Sequence, residues 1–200
     1  MAFPELSTSS TPLSGADADA LVLALPPLDE HDELLADWPG LAAALAGTGF
    51  TGAPGGTARV GVPEVTALPV IVVGTGSTPS AATVRDAVGA VLRTTTGFAR
   101  LAIGAPGLDE VLWPAVAEGV LLGGYRFDDY KKASSPARAE QVTLHGAPSS
   151  TDASIARARS VASAAALVKD LVNTPAQWLG PQDLADATVE ALADLPVGVT

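Results

Sequence analysis

Short apolar runs alternate with longer segments of helical periodicity along most of the chain. Runs typical of strands lie at residues 20–25, 58–62, 69–73, 98–103 and 141–144. Helical patterns cover residues 30–46, where Pro39-Gly40 breaks the pattern, and then 79–92, 114–123, 153–172 and 181–194. Residues 7–19 predict a loose segment or a short strand, and residues 195–200 look like the start of a strand.

The clearest unit is the strand and helix around residues 69–92. The run at 69–73 is β-branched and apolar on both faces, as in a central parallel strand. Val84, Ala87, Val88, Val91 and Leu92 then form the stripe of a helix lying on a sheet. The pattern predicts Thr78 as the helix cap, with Pro79 at the first helical position.

Strands that alternate with helices indicate βαβ units. Such units build a mostly parallel sheet with helices on its faces. We therefore predict an α/β fold with a mixed, mostly parallel sheet flanked by helices and followed by a long helix. The composition changes at residues 148–152, just before that helix.

Composition and charge exclude several classes of protein. Hydrophobic residues make up 48% of the 200 positions, which is enough for a core, and the absence of Cys excludes disulfides and thiolate sites. The net charge of −11 would repel nucleic acid and anionic membranes. The first residues have neither a basic region nor an apolar run, so no secretory signal is predicted and we expect a cytoplasmic protein.

Few residues are candidates for chemistry. His31 lies in an acidic run, 29–33, which is more typical of a solvated helix start than of a metal site. His145 lies at a strand end and has no metal-binding partner nearby in the sequence, so we expect its imidazole to be structural or exposed. The adjacent pairs Asp109-Glu110 and Asp128-Asp129 diverge and indicate caps or surface charges.

The turn 74–77 has two glycines between a strand and a helix, where phosphates can bind. It lacks the third glycine of a dinucleotide fingerprint and the Gly-Lys-Ser/Thr of a P-loop, so a tight strand-to-helix connection is favoured. The residues by themselves therefore predict no catalytic, metal-binding or cofactor-binding residue in this chain.

Two stretches of the chain carry longer motifs. Residues 117–131 read Ala-Glu-Gly-Val-Leu-Leu-Gly-Gly-Tyr-Arg-Phe-Asp-Asp-Tyr-Lys. They are similar to the "EG…L…Y-R-F-D-x-Y-K" segment of the leucyl aminopeptidase family (cytosol aminopeptidases, metallopeptidase family M17). Residues 168–175, Val-Lys-Asp-Leu-Val-Asn-Thr-Pro, with 179–181 and 184–185, resemble its "A-R-D-L-V-N-T-P-P-N…T-P…L-A" signature. Lys169, Ala176, Gln177 and Gly180 depart from the usual Arg, Pro, Asn and Thr. The resemblance covers the whole chain and is specific at 117–185.

The resemblance implies a two-domain exopeptidase. A macro-domain-like α/β unit (1–149) and a linker helix (150–174) would precede a catalytic domain, of which 175–200 would be the start. In the family that domain holds two divalent metals, commonly Zn, Mn or Mg, and members are typically hexamers that release N-terminal residues from peptides. The family's metal-binding motifs match nothing here, so we expect the catalytic residues and metals outside this chain.

Two alternatives stay open at this stage. The run 195–200 is equally compatible with an edge strand or frayed tail and with the entrance to a further domain. Macro-like domains elsewhere bind ADP-ribose, and the loops 74–77 and 104–107 would line such a pocket, although the acidic balance disfavours a diphosphate. Under the leading hypothesis the domain serves assembly and access to the active site.

Overall fold

The computed structural model describes residues 3–28, 35–130 and 136–198. The strands are β1 Glu5–Ser9, β2 Ala20–Leu25, β3 Thr57–Gly61, β4 Pro69–Gly74, β5 Arg100–Gly104 and β6 Gln141–His145. The helices are α1 Leu41–Ala46, α2 Ala81–Thr94, α3 Trp113–Gly124, α4 Thr151–Asn173 and α5 Pro181–Leu192. Each of these elements lies at or within a few residues of a segment whose pattern predicted it.

The six strands form one sheet in the order β1-β6-β5-β2-β4-β3. All neighbouring pairs are parallel except β3 with β4, which is antiparallel. The predicted α/β fold with a mixed, mostly parallel sheet is confirmed. No described helix is long and apolar enough to cross a bilayer.

The chain divides into two compact units, 1–162 and 163–200. In the first unit the sheet is buried on both faces. Side chains of α2, α3 and the first turns of α4 cover one face, and α1 with its flanking loops covers the other. Strand β2 has all six residues buried, as a central parallel strand requires. The predicted division at residues 149 and 174 stays a prediction.

Helices α2 and α3 approach each other at glycines. A methyl group added to Gly123 would lie 2.4 Å from Gly89 Cα, and one added to Gly119 would lie 2.7 Å from the Arg85 carbonyl oxygen. The missing Cβ atoms thus allow the two backbones to pack almost in contact. This brings Val88 and Val120 fully into the core.

An ion pair connects the amino ends of β2 and β5. Asp19 accepts hydrogen bonds from the backbone N–H groups of Arg100 (2.8 Å) and Ala99 (2.9 Å), and its carboxylate also pairs with the Arg100 guanidinium. The backbone N–H of Arg100, followed by its guanidinium, lowers the pKa of Asp19 below the ordinary value. The hydrogen bonds that the Arg100 guanidinium donates to the carboxylates of Asp17 and Asp19 raise the pKa of Arg100.

Two local predictions were wrong. The cap of α2 is Ser80 rather than Thr78: its hydroxyl accepts from Thr83 N–H, and the Thr83 hydroxyl accepts from Ser80 N–H. Residues 195–198 form no strand. Leu195 N–H and Val197 N–H instead bond to carbonyls two or three residues earlier. The described elements of residues 163–200 are helices. Within that unit, an extended segment at 195–198 would therefore have no strand to pair with.

Candidate functional site

The carboxyl ends of the five parallel strands meet at one edge of the sheet. Strand β2 is followed by connections to β3 and β4 on one side, whereas β5 is followed by α3 and β6 on the other. Because β2 and β5 are neighbours, the connections diverge between them. In open α/β sheets ligands bind in the crevice at this kind of position.

Two cavities lie at this edge. The smaller, of about 240 Å3, is bounded by the turn 74–79 and by Pro106–Leu108. The larger, of about 770 Å3, lies over the ends of β1, β6 and β5. We call the larger cavity the His145 cleft, defined by its lining residues Thr11, Ser14, Asp37, Trp38, Glu110, Trp113 and His145, with the loop 104–108 as its floor.

The turn 74–77 is a structural connection in which most backbone N–H groups are already bonded. Three of its backbone N–H groups already donate to carbonyl oxygens: Gly74 to Gly56 (2.8 Å), Thr75 to Leu25 (2.8 Å) and Gly76 to Gly52 (2.9 Å). A Cβ on Gly74 would lie 2.1 Å from the Ala53 carbonyl oxygen, and Gly76 has φ of +82°. The glycines therefore allow close packing of two loops, as expected for a tight connection, and only the N–H of Ser77 is left without a carbonyl partner among the described residues.

His145 ends β6 and is 7% exposed. Its Nδ1 lies 2.9 Å from the Thr11 carbonyl oxygen. Because a carbonyl can only accept, Nδ1 carries the proton, and in the neutral ring Nε2 is then an acceptor. Nε2 has no hydrogen-bond partner among the described residues, and the ring lines the cleft.

The charges around the cleft are negative. Asp37 and Glu110 are exposed at its lining and form no ion pair with any residue the structure describes. Lys and Arg are absent from its described lining. Ser14 and Thr11 add hydroxyl groups, while Trp38 and Trp113, both buried, supply the apolar part of the wall.

The acidic pairs behave as caps and surface charges. Asp109 accepts from Val111 N–H (3.1 Å) at the start of a short 3-10 turn, and its neighbour Glu110 extends to the cleft. Asp128 pairs with Arg126 (2.9 Å). His31 lies outside the described residues.

A resident metal does not fit the described residues. In 3–28, 35–130 and 136–198 no three His, Asp or Glu side chains come close enough together to hold a metal ion. His145 has two carboxylates in the same cleft, but they do not form such a group with it.

The sequence matches a known family and its curated relatives. The model of the cytosol aminopeptidase family, N-terminal domain, matches residues 23–134. A probable cytosol aminopeptidase of Leifsonia xyli is 38% identical over 98% of this chain and 40% of its own length. One of Clavibacter michiganensis is 38% identical over the whole chain and 42% of its own length. The chain thus spans about two-fifths of these curated relatives.

Solved structures share the fold. A mutant of tomato leucine aminopeptidase superposes with a TM-score of 0.75 over 95% of this chain and 42% of its own, at 19% identity. The bottromycin maturation enzyme BotP, in complex with Mn, gives 0.70 over 88% of this chain and 36% of its own, at 26% identity. The family model and the full-length alignment of the relatives together show that this chain belongs to the cytosol aminopeptidase family, of which it matches the N-terminal domain.

Proposed function

We propose that this chain is the non-catalytic N-terminal part of a metal-dependent exopeptidase that releases N-terminal residues from peptides. One observation carries the proposal: the matching family model is that of the N-terminal domain, while the relatives named aminopeptidases extend well beyond the aligned region. We place the peptide substrate and two divalent metals, Mn or Zn, on residues outside this chain. The relatives' names also support the cytoplasm as its location.

The Mn complex of BotP supports metal chemistry in the longer protein. On this proposal the metal ligands lie outside the aligned region, in the rest of the longer protein. The part of the chain described here would then contribute no group that activates water or polarises an amide.

An activity assay tests this proposal. The purified chain of 200 residues is incubated with a leucine amide, with and without added Mn, beside the Leifsonia xyli relative as a positive control. We expect turnover by the relative and none by the chain. Metal-dependent turnover that copurifies with the chain would contradict the proposal.

We further propose that residues 163–200 belong with the portion that follows in the relatives. This unit exposes large apolar side chains, which a soluble surface rarely presents in such number unless another surface covers them. They are Leu167, Val168, Val172, Leu184, Val189, Leu195 and Val197. Binding of the dye ANS to the chain should fall when Val168 and Val172 are both changed to Ser, and unchanged dye binding would count against this placement.

The proposal includes a role in assembly. The family resemblance implies a homo-oligomer, commonly a hexamer, in which the domain makes subunit contacts and limits access to the active site. Light scattering on the chain and on the Leifsonia xyli relative tests this. We expect an oligomer for the relative, and a monomeric relative would overturn the assembly role.

ADP-ribose binding finds no support in the comparisons, and the contacts disfavour it. Three of the four N–H groups in the turn 74–77 already donate to carbonyl oxygens, and the described lining of the His145 cleft has no Lys or Arg to pair with a diphosphate. Calorimetry should show no heat of binding for ADP-ribose.

A further inference from the structure

The two outermost strands of the sheet differ in how their outer sides are covered. At β1, the Arg159 side chain on α4 donates to the Leu6 carbonyl oxygen, and the Thr8 hydroxyl donates to the Asp152 carboxylate. Helix α4 therefore covers this margin of the sheet. Strand β3 forms the opposite margin and has no such cover among the described residues. An uncovered outer strand can pair with another extended chain.

The outer backbone groups of β3 are free. The Gly74 N–H of β4 donates to the Gly56 carbonyl oxygen (2.8 Å), and an antiparallel ladder alternates, so every second residue of β3 faces away from β4. Those residues are Thr57, Arg59 and Gly61, and all three are exposed. Their N–H and C=O groups form no hydrogen bond with any residue that the structure describes. The strand thus offers a row of donors and acceptors along a length of about 17 Å.

Two cavities follow this strand. One, of about 260 Å3, is lined by 57–59, by Ile71 and Val91, and by the threonines at 94–96. The other, of about 440 Å3, is lined by 59–63 and 66–69. Together they accompany β3 along its whole length. In strand addition the backbone ladder supplies affinity, and pockets for side chains of the added strand supply selectivity.

Arg59 lies in the lining of both cavities and is the only charged residue there among those described. Its guanidinium lies over the Phe98 ring, 4.6 Å from the centroid, and forms no ion pair with a described residue. A stacked guanidinium keeps its N–H groups, which lie in its own plane, available to a carboxylate. Because the charge is drawn to one face of the sheet, it does not block the backbone row as an outward-pointing charge would.

We propose that β3 binds a short peptide in extended conformation, added as an antiparallel strand with an acidic side chain directly opposite Arg59. The peptide backbone bonds to the outer groups of Thr57, Arg59 and Gly61, and its carboxylate pairs with the guanidinium on the same face of the sheet. A second copy of β3 is a poorer partner, because symmetric pairing centred on the strand sets Arg59 against Arg59. The site uses no catalytic group and does not depend on the function proposed above.

A blocked peptide tests the proposal by NMR titration of the isotope-labelled chain. The probe is acetyl-Val-Thr-Glu-Thr-Val-amide, which is rich in strand-forming residues and has the same residue order in both directions. We expect saturable shifts of the Thr57, Arg59 and Gly61 amide signals, with a Kd on the order of 1 mM. The amide signals of Leu6 and Thr8, on the covered strand β1, should not shift.

Changes to the peptide separate backbone pairing from charge. When Glu lies opposite Arg59, its N–H faces β3 and the N–H groups of the two Thr face away. Methylation of the Glu nitrogen should therefore weaken binding about fivefold or more, whereas methylation of one Thr nitrogen, the matched control, should change Kd less than about twofold. A peptide with Lys in place of Glu should bind about threefold more weakly, although the net charge of −11 attracts it at long range.

Substitutions in the chain then locate the charge. Arg59→Gln should weaken binding of the Glu peptide about threefold and abolish its advantage over the Lys peptide. The matched control Arg157→Gln removes an exposed arginine of α4 that lines neither cavity, and it should preserve that advantage. The amide spectrum of each variant shows whether the fold is kept.

Several results would overturn the proposal. They are the absence of saturable shifts at β3, equal binding of the two methylated peptides, equal or tighter binding of the Lys peptide, and an Arg59→Gln variant that behaves like Arg157→Gln. Shifts at β3 that depend on the concentration of the chain, without peptide, would assign the strand to a second copy instead. If Arg59→Gln fails to fold, the peptide series decides the matter. The leucine amide assay is unaffected by any of these outcomes, so the two proposals fail separately.

Discussion

The glycine contact between α2 and α3 allows a sharp test of the packing, through Gly123→Ala. In an open helix interior this substitution would stabilise by about 1 kcal/mol, because Ala is the better helix former. Here the new methyl group would lie 2.4 Å from Gly89 Cα and 2.5 Å from the Gly89 carbonyl oxygen. Backbone atoms cannot turn aside as a flexible side chain can, so the helices must separate by about 1 Å to reach ordinary contact.

The cost follows from that separation. Overpacking of a core costs about 1–3 kcal/mol, and a clash with backbone belongs at the upper end of that range. With about 1 kcal/mol regained from helix propensity, the net loss is about 2 kcal/mol. For a domain of this size such a loss lowers Tm by about 4–8 °C.

Urea unfolding followed by far-ultraviolet circular dichroism measures the loss. The control is Gly47→Ala: Gly47 has φ of −78° at the end of α1, and its added Cβ meets nothing within 4 Å. The control should be neutral or slightly stabilising. A Gly123→Ala protein whose free energy of unfolding equals that of the wild type within about 0.5 kcal/mol would refute the close approach of the two helices.

Further predictions concern the cap of α2 and the ion pair between Asp19 and Arg100. Ser80→Ala should lower the free energy of unfolding, measured by thermal or urea denaturation, by about 1 kcal/mol. Thr78→Ala lies outside the capping box and should be close to neutral. A larger loss for Thr78→Ala than for Ser80→Ala would place the cap at Thr78. Asp19→Asn should lower Tm at pH 7, because the folded pKa of Asp19 is below its ordinary value and the charged form is the one stabilised. That stabilisation is present above pH 3.8, the ordinary pKa, and is lost as the pH falls through the folded pKa, so the difference in Tm should shrink in acid; a difference independent of pH would contradict the role of the carboxylate.

Local pattern predicted most elements because the sheet of the first unit is buried on both faces. Strand β2 and strand β4 are continuous apolar runs for this reason, and the stripe of α2 follows from its packing on the sheet. The direction of each strand in the sheet was harder to predict than its position in the sequence. Strand β3 alternates between exposed and half-buried residues, as a strand at the sheet margin does, but nothing local shows that it runs antiparallel to β4.

The misplaced cap has a local cause. The stretch Ser77-Thr78-Pro79-Ser80 offers several hydroxyl residues, and proline at a first helical position favoured Thr78. The capping box uses Thr83, whose hydroxyl takes the place of the usual Glu or Gln side chain. The usual capping-box pattern, with Glu or Gln three residues after the cap, therefore did not indicate Ser80.

The His145 cleft depends on contacts that sequence separation hides. Thr11 and His145 are 134 positions apart, and their hydrogen bond is what fixes which ring nitrogen is free. One signal was present: residues 104–107 and 145 each follow a predicted strand, and parallel strands bring their carboxyl ends to one edge. The strand order needed to make β1, β6 and β5 neighbours could not be read from the pattern.

The charge of the chain and the contacts at the sheet edge lead to the same restriction on ligands. The net charge of −11 predicted that polyanions are repelled, but it says nothing about where the charge lies. At the carboxyl edge, the glycine turn 74–77 uses three of its four backbone donors internally, and the described lining of the His145 cleft carries the carboxylates of Asp37 and Glu110 without Lys or Arg. Few free donors and an acidic wall both disfavour a phosphate at this edge of the sheet. The local arrangement of the loops and the net charge of the whole chain therefore act in the same direction against anionic ligands.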